Sequence, residues 1–346
     1  MLLRTLRLWG LLAAVVAAAH LLPPQSVETL YARTCYPWIA GGLVAASGRL
    51  PFSLTEAMLP LILLTLSWRI RQLWRRSRHD PLLARLALAV RPLVSLSLGL
   101  YATFLVCWGL NYARPDLEAR LALPEGPPQE SEVATLAHEL VRRLNERVEA
   151  SRREPCETAE RAASEALRET ISKLQSFCPR LPVAAKPVFP AGLLTTFGFT
   201  GVTSPWLLEA HVDGAILAIE RPFVAAHEKA HVAGFAPEGD ANFVAYLACR
   251  ASTSPLAAYS ADLALLGETL AVLGDETRRG IIAELASAVR DDWRRIRERQ
   301  RAQRWELGAR VNRELYDAYL RTQKVKRGVR DYARVLDLLI RWERGR

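Results

Sequence analysis

Two histidines four positions apart are the residues most able to do chemistry in this sequence. They stand in the segment His227-Glu228-Lys229-Ala230-His231. On a helix this spacing places both imidazoles on one face, one turn apart, which is the geometry that two zinc ligands need. Glu228 can reach a metal-bound water as general base while staying outside the coordination shell. The segment therefore predicts a hydrolytic Zn²⁺ site with His227 and His231 as ligands.

A third ligand is expected soon after this helix, because a catalytic zinc takes three protein ligands and keeps one position open for water. Gly234 can end the helix in a left-handed conformation, and Glu238-Gly239-Asp240-Ala241-Asn242 then opens a new one. Glu238 is the preferred ligand and Asp240 the alternative, since Asp240 could equally serve the start of the new helix. Asn242 could orient one of the histidines.

The remaining histidines offer weaker candidates. His138-Glu139-Leu140-Val141-Arg142 begins like the zinc segment but ends in Arg, so we expect no metal there. His211 is a lone histidine near Glu209, a setting that is more often structural than catalytic.

The elements that must position these residues follow from the pattern of the chain beyond residue 110. The stretch from Pro179 to Arg221 is rich in Pro and Gly and predicts short strands and turns. Within it, Ala215 to Glu220 predicts a strand, either an edge strand able to pair with a peptide substrate or an internal one. Helical patterns occupy Ser131–Glu154, Glu157–Ser176, Phe223–Val232, Asp240–Ala251, Ala257–Leu273, Thr277–Arg304 and Tyr332–Trp342. Residues 111–346 are thus predicted to form a mainly α, zincin-like domain with one small β-sheet.

The first 110 residues predict a membrane domain. Half of the chain is hydrophobic and 24% is charged, yet charges are nearly absent from parts of this region. Three transmembrane helices are expected, at about 8–22, 52–68 and 93–110. The first stretch also fits a secretory signal peptide, because it is short and follows Arg4 and Arg7.

The orientation in the membrane follows from the segment between the second and third stretches, which is rich in Arg. Short loops of this kind remain in the cytoplasm. The amino terminus is therefore expected in the cytoplasm, and the zinc domain on the outer side of an inner or plasma membrane. The seven arginines are Arg69, Arg71, Arg75, Arg76, Arg78, Arg85 and Arg91.

Charge and cysteine content exclude several classes. The net charge of +10 is spread along the chain, without the basic tract typical of nucleic-acid binding. Five cysteines without Cys-x-x-Cys spacing indicate neither a thiolate zinc site nor a disulfide scaffold. Cys156 and Cys178 are the one plausible disulfide, and two free thiols are an equally open alternative.

Four segments carry a resemblance to a known family: Trp108-Gly-Leu-Asn-Tyr-Ala-Arg-Pro115, Pro51-Phe-Ser53, the block from His227 to Asn242, and Tyr316-Asp-Ala-Tyr319-Leu through Gly328 to Tyr332. Over nearly its whole length the chain resembles an uncharacterised bacterial family of three-span membrane proteins with a zincin motif. The family pattern after the zinc helix reads Glu-Asp-Glu-Ala-Asn, so both outer acidic positions survive here. The resemblance implies an architecture and a zinc site, without a substrate.

A more distant similarity concerns Glu-x-x-Ala-Asn alone. It is similar to the Glu-x-x-Ala-Asp of integral-membrane gluzincins such as the CAAX prenyl protease and heat-shock membrane protease group, which implies Glu238 as the ligand. Asn242 replaces their Asp, and fewer residues separate His231 from Glu238 here than in those enzymes.

These observations predict a membrane-anchored zinc metallopeptidase that acts on peptide or protein substrates, including membrane-associated ones. Its other partner is the lipid bilayer. A zinc-binding membrane sensor or scaffold without peptidase activity is the alternative. A donor for the developing oxyanion is still missing. Tyr316, Tyr319 or Tyr332 could supply one, although each is more simply explained as a packed amphipathic ring.

Overall fold

The computed structural model describes residues 2–306, 308, 310, 314 and 332–346. The chain is mainly helical with one small three-stranded sheet, which confirms the predicted fold class. The helices of the amino-terminal part are α1 (Leu2–Leu21), α2 (Pro24–Ser26), α3 (Tyr36–Ser47), α4 (Leu54–Arg76), α5 (Leu82–Cys107) and α6 (Leu117–Arg120). A π-helical segment, Val27–Cys35, joins α2 to α3, and a 3-10 segment, Gly109–Ala113, follows α5.

The remaining elements build the rest of the fold. The strands are β1 (Lys186–Val188), β2 (Gly201–Ser204) and β3 (Glu209–Asp213). The helices are α7 (Glu130–Ser151), α8 (Cys156–Gln175), α9 (Leu193–Thr196), α10 (Arg221–Val232), α11 (Glu238–Ala251), α12 (Pro255–Val272), α13 (Asp275–Glu284), α14 (Ser287–Gln303) and α15 (Tyr332–Arg344).

The sheet has the order β1-β3-β2. The buried central strand β3 pairs in parallel with β1 and in antiparallel with β2, so that Gly201 lies opposite Val212. The predicted strand at Ala215 to Glu220 is wrong, because β3 ends at Asp213 and the chain then turns. The Asp213 carboxylate accepts hydrogen bonds from the backbone N–H groups of Ala215 (2.9 Å) and Gly192 (2.6 Å). Such a side-chain turn diverts the backbone from the strand. The two edge strands of this sheet are β1 and β2.

The predicted helix Thr277–Arg304 is divided in two by Asn145 of α7. Asn145 Nδ2 donates to the carbonyl oxygen of Glu284 (2.9 Å), and its Oδ1 accepts from the N–H of Ala286 (2.7 Å). These bonds satisfy the end of α13 and the start of α14 at once, so the backbone at residues 285 and 286 becomes extended.

The membrane-spanning potential of the described helices is smaller than expected. α5 is long and apolar enough to cross a membrane by itself. The segments Trp9–Leu21 and Pro24–Ser47 are long and apolar enough only when taken together, with a bend of 103° between them. The predicted second span lies in α4. This helix is not among the candidate spans because its second half carries Arg69, Arg71, Arg75 and Arg76. The described part of the chain therefore offers one or two candidate spans in place of three.

One hydrophobic core connects the amino-terminal helices to the helical domain. It includes Tyr36 of α3 and Leu105 of α5, and it continues through Leu144 of α7 and Phe243 of α11 to Leu339 of α15. The predicted domain boundary at residue 110 remains a prediction, but this core crosses it. All five cysteines are free thiols, so Cys156 and Cys178 are not bonded to each other.

Candidate metal centre and active-site cleft

Helix α10 carries both histidines of the predicted zinc segment. Pro222 stands in its first turn, where the missing N–H costs nothing, and the Ala-rich sequence that follows favours a helix. The helix ends at Val232, and Gly234 follows two residues later with a φ of +90°. There the N–H of Phe235 donates to the carbonyl of Ala230 (3.2 Å), and the N–H of Gly234 to that of His231 (2.9 Å). This left-handed ending reverses the chain at the position expected for Gly234.

The reversal brings the first residue of α11, Glu238, back to the two histidines. Glu238 Oε2 lies 3.2 Å from Nε2 of His227 and 3.6 Å from Nε2 of His231. The two imidazole Nε2 atoms are 3.1 Å apart. Among the described residues, these three form a group whose ligand atoms all lie within 4.8 Å of one another.

The dimensions of this group fit a tetrahedral zinc ion. With metal–ligand bonds of about 2.0 to 2.1 Å, neighbouring donor atoms are about 3.3 to 3.4 Å apart. The three separations of 3.1, 3.2 and 3.6 Å scatter around that value. The donor set, two imidazole nitrogens and one carboxylate oxygen, is also one that catalytic zinc sites use.

Asp240, the alternative ligand, lies outside this group and is engaged elsewhere. Its Oδ1 accepts a hydrogen bond from Nε of Arg334 (2.9 Å), and its Oδ2 lies 3.7 Å from the Arg120 guanidinium. Both partners are largely buried with it. Asp240, which the sequence leaves open as a ligand, thus forms structural ion pairs that join α11 to α6 and to α15.

His231 is held in place from two directions. Its Nδ1 is 2.8 Å from the carbonyl oxygen of Phe235, which orients Nε2 toward the ligand group. Its own carbonyl oxygen accepts a hydrogen bond from Nε1 of Trp108 (2.7 Å). Asn242 lines the same cleft, but the orienting contact to His231 comes from the Phe235 backbone.

Electrostatic interactions within the ligand group shift the pKa values of His231 and Glu238. Burial opposes the protonation of His231, but the Glu238 carboxylate outweighs it and raises the pKa of His231 to about 9. Burial likewise opposes the ionisation of Glu238, and the two histidines nevertheless hold its pKa well below the usual value. Zinc would replace these protons, because the metal binds neutral imidazole.

Glu228 lies beside the ligands in the wall of the cleft, with only 5% of its surface exposed. Its Oε2 is 2.7 Å from the hydroxyl of Thr203, which also lies 2.8 Å from the Glu228 carbonyl oxygen and can donate to either. Burial raises the pKa of Glu228, an effect that the neighbouring histidines partly offset. A Cβ at Gly201 would stand 2.6 Å from Oε1 and 2.8 Å from the backbone carbonyl oxygen of His211, which cannot easily move, so this position of β2 has room only for glycine.

The cleft has a volume of about 460 Å³. Its walls come from helices α9, α10 and α11, from the edge strand β2 with its flanking residues, and from the segment after α5. They consist of Trp108, Tyr112, Leu194, Gly198, Phe199, Thr200, Gly201, Val202, Thr203, Pro205, Phe223, Val224, His227, Glu228, His231, Glu238 and Asn242.

Sequence reasoning missed four residues that shape this site. Trp108 and Tyr112 belong to the segment Trp108 to Pro115, which marked the family resemblance but pointed to no role. Thr203 and Gly201 lie in a short edge strand among turns, where no periodic pattern distinguishes them.

The other predicted candidates lie outside the ligand group. His211 is buried, with Nε2 2.9 Å from the hydroxyl of Ser53, and it supports the sheet. His138 is exposed on α7 beside Glu284. Tyr316 and Tyr319 lie outside the described residues, and Tyr332 begins α15.

Comparison with known proteins shows the family alone. No curated protein and no solved structure matches the chain. Residues 31–340 match the family described as "Protein of unknown function (DUF3810)", and this match covers the metal helix, the edge strand and the segment after α5. The chain therefore belongs to this family of unknown function.

Proposed function

We propose that this protein is a membrane-anchored zinc metallopeptidase. The observation that carries the proposal is the convergence of three zinc-type donors with a buried carboxylate in one open cleft. The distances between the donor atoms of His227, His231 and Glu238 fit a tetrahedral zinc site. Glu228 lies beside them in the cleft wall without belonging to the group.

A bound zinc ion would supply an activated water and polarise the carbonyl group of the substrate. Glu228 takes the proton of the attacking water and later passes it to the leaving amine. Burial raises the pKa of this carboxylate toward the operating pH, which makes it a better base. The Thr203 hydroxyl restrains the carboxylate, and the partly buried phenol of Tyr112 in the cleft wall is the proposed donor to the developing oxyanion.

The edge strand β2 suits an extended peptide substrate. Among the described residues, β2 pairs with β3 on one side only, and its residues Gly201, Val202 and Thr203 line the cleft. A peptide in extended conformation could add to this edge through main-chain hydrogen bonds and so present its carbonyl groups to the metal.

The position of the cleft next to α5 favours substrates at the membrane. Trp108 follows directly on the end of α5 and lines the cleft. Trp206, in the turn after β2, donates from Nε1 to the carbonyl of Leu100 within α5 (3.0 Å). The substrate strand proposed for β2 would therefore begin beside the candidate span.

The decisive comparison is cleavage of casein and of a membrane-shed peptide by the purified wild-type protein and by Glu228→Gln. We expect stoichiometric zinc in both and a loss of cleavage by about 10²- to 10⁴-fold in the variant, the usual contribution of a general base. His138→Ala, which alters a histidine outside the site, serves as the control and should match the wild type.

Equal cleavage by wild type and Glu228→Gln would overturn the proposed mechanism. Stoichiometric zinc without cleavage by either protein would favour the zinc-binding sensor or scaffold instead. A protein without zinc, whose thermal stability is unchanged by His227→Ala, would reject both.

A further inference from the structure

A second cavity, of about 420 Å³, lies beside the metal cleft. Thr200, Phe223 and Val224 line both cavities. Phe223 and Val224 stand on the metal helix, four and three residues before His227, so the shared wall lies about one helical turn, about 5.4 Å, from the first ligand. A substrate held in the cleft could therefore place a neighbouring side chain in the second cavity.

The walls of this cavity are mostly apolar. Leu263 and Ala264 of α12 face Trp293 and Ile296 of α14. Gly267 permits this close approach, because a Cβ there would lie 3.2 Å from the edge of the Trp293 ring. Such a surface suits the methylene groups of a long side chain.

Two carboxyl groups, those of Glu268 and Glu220, interrupt the apolar lining. Glu268 of α12 is partly buried in the wall and has no hydrogen-bond or ion-pair partner among the residues that the structure describes. Burial raises its pKa to about 7. The other acid of the cavity, Glu220, is already engaged by Arg299 (2.8 Å) and by the N–H of Leu217 (3.0 Å). Arg297 at the cavity is exposed and forms no ion pair with Glu268.

We infer that this cavity is a specificity pocket that receives a Lys or Arg side chain of the substrate, with Glu268 as the counter-charge. The inference rests on the proposed peptidase function and names its substrate preference. An apolar side chain would leave the carboxyl group buried without a partner, which is unfavourable. An acidic one would add a like charge, whereas a cation stabilises the ionised form of Glu268.

The test uses the full-length protein and peptides that are identical except for one residue near the cleaved bond, which is Lys, acetyl-lysine, norleucine or Glu. We expect wild-type protein to cleave the Lys peptide at least about tenfold faster than the norleucine peptide, the smallest effect expected of a buried charge pair. In Glu268→Gln this preference should fall to about onefold, mainly through slower cleavage of the Lys peptide. Glu276→Gln, the same change at an exposed position of α13, should keep the preference.

A binding measurement separates this inference from the peptidase proposal. Fluorescence anisotropy with labelled peptides compares Glu228→Gln, which should not turn them over, with the double variant Glu228→Gln/Glu268→Gln. Tighter binding of the Lys peptide that disappears in the double variant supports the pocket even if the wild type cleaves nothing. Equal binding of the Lys, acetyl-lysine and norleucine peptides, or a preference that survives loss of Glu268, would overturn the inference whatever the cleavage result.

Discussion

Two acidic residues on the first turn of α11 have different tasks. Glu238 faces the imidazoles of His227 and His231, whereas Asp240 faces the guanidinium groups of Arg334 and Arg120. A spacing of two residues on a helix accounts for this, because such residues point in directions about 200° apart. One can therefore serve the proposed metal site while the other supports the packing of α15.

Two conservative substitutions are therefore expected to affect different properties, zinc binding in one case and stability in the other. Glu238→Gln removes a charged ligand and should weaken zinc binding by about 100-fold or more, since even the supporting residues of zinc sites contribute 10- to 100-fold. Asp240→Asn should keep stoichiometric zinc but lower the free energy of unfolding by about 3 kcal/mol, because it removes the charged partner of the buried Arg120 and leaves Arg334 with Glu118 alone. Competition with a zinc chelator and thermal unfolding measure the two effects. Weaker zinc binding in Asp240→Asn alone would reverse the assignment.

The Thr203 hydroxyl should matter for turnover and not for metal binding. Thr203→Val keeps the shape of the side chain but removes the hydroxyl next to Glu228 Oε2. Loss of a hydrogen bond to a charged group costs about 1.5 to 3 kcal/mol, so kcat should fall by about 10- to 100-fold with the zinc content unchanged. Thr203→Ser, which retains the hydroxyl, should recover most of the activity. Equal losses in both variants would assign the effect to packing.

At the scale of elements, the segment after α5 supports the metal helix from its carboxyl end. Trp108 donates to the His231 carbonyl, and Arg114 donates to the carbonyl of Gly234 (3.1 Å). The Arg114 guanidinium also binds the buried carboxylate of Glu28 (2.7 Å). The end of a candidate membrane span and the end of the metal helix thus form one connected unit.

The sheet is joined to α4 in a similar way. The Glu209 carboxylate of β3 accepts hydrogen bonds from the first backbone N–H groups of α4, those of Leu54 (3.0 Å) and Thr55 (2.8 Å), and from Lys186 Nζ (2.6 Å). An anion at a helix amino terminus satisfies its free donors and its dipole. The Pro51-Phe-Ser53 segment is thereby fixed to the sheet that carries the edge of the cleft.

This contact predicts a dependence of stability on pH. Burial opposes the ionisation of Glu209, but the hydrogen bonds from Lys186 and Thr55 lower its pKa below the ordinary value. Its stabilisation is therefore complete above about pH 4.3, the carboxyl pKa of unfolded chains, and is lost as the pH falls through the folded-state value. Glu209→Gln should lower the free energy of unfolding by about 2 kcal/mol at pH 7.

The measurement is thermal unfolding in detergent across a pH series. The stability difference between wild type and Glu209→Gln should shrink as the pH falls below about 4.3. Glu125→Gln, at an exposed position, should show no such difference. A Glu209→Gln deficit that stays constant down to the lowest pH would exclude the charge as its source.

For the whole molecule, the proposed anchoring rests on apolar surface that the fold leaves uncovered. Leu61 and Leu64 of α4 and Leu83 and Val90 of α5 are at least half exposed. Apolar surface of this extent is typical of contact with lipid or with another protein. Arginines on both sides of the α4–α5 turn favour a cytoplasmic position for that turn, which would place the metal cleft on the opposite side.

A pair of reporter fusions tests this orientation. Alkaline phosphatase fused after Arg346 should be active, and a cytoplasmic fluorescent protein at the same position should be dark. The same phosphatase inserted in the α4–α5 turn, at residues 77–81, should be inactive. The opposite pattern would place the cleft in the cytoplasm.

The sequence by itself determined the features that depend on local spacing. The four-residue spacing of His227 and His231 requires only a helix to align the imidazoles. Pro222 and Gly234 mark the two ends of that helix in the sequence. Helical periodicity also predicted the mainly α fold and most helix positions, because each helix buries one face along a regular repeat.

The tertiary structure alone decided what depends on contacts between distant segments. Asn145 divided a helix through side-chain hydrogen bonds to a distant segment, which no local pattern reveals. The separate tasks of Glu238 and Asp240 depend on Arg334, almost a hundred residues away along the chain. Thr203 and Glu268 acquire their proposed roles only from the elements packed around them, because burial and partners, and not residue type, decide what a polar side chain does.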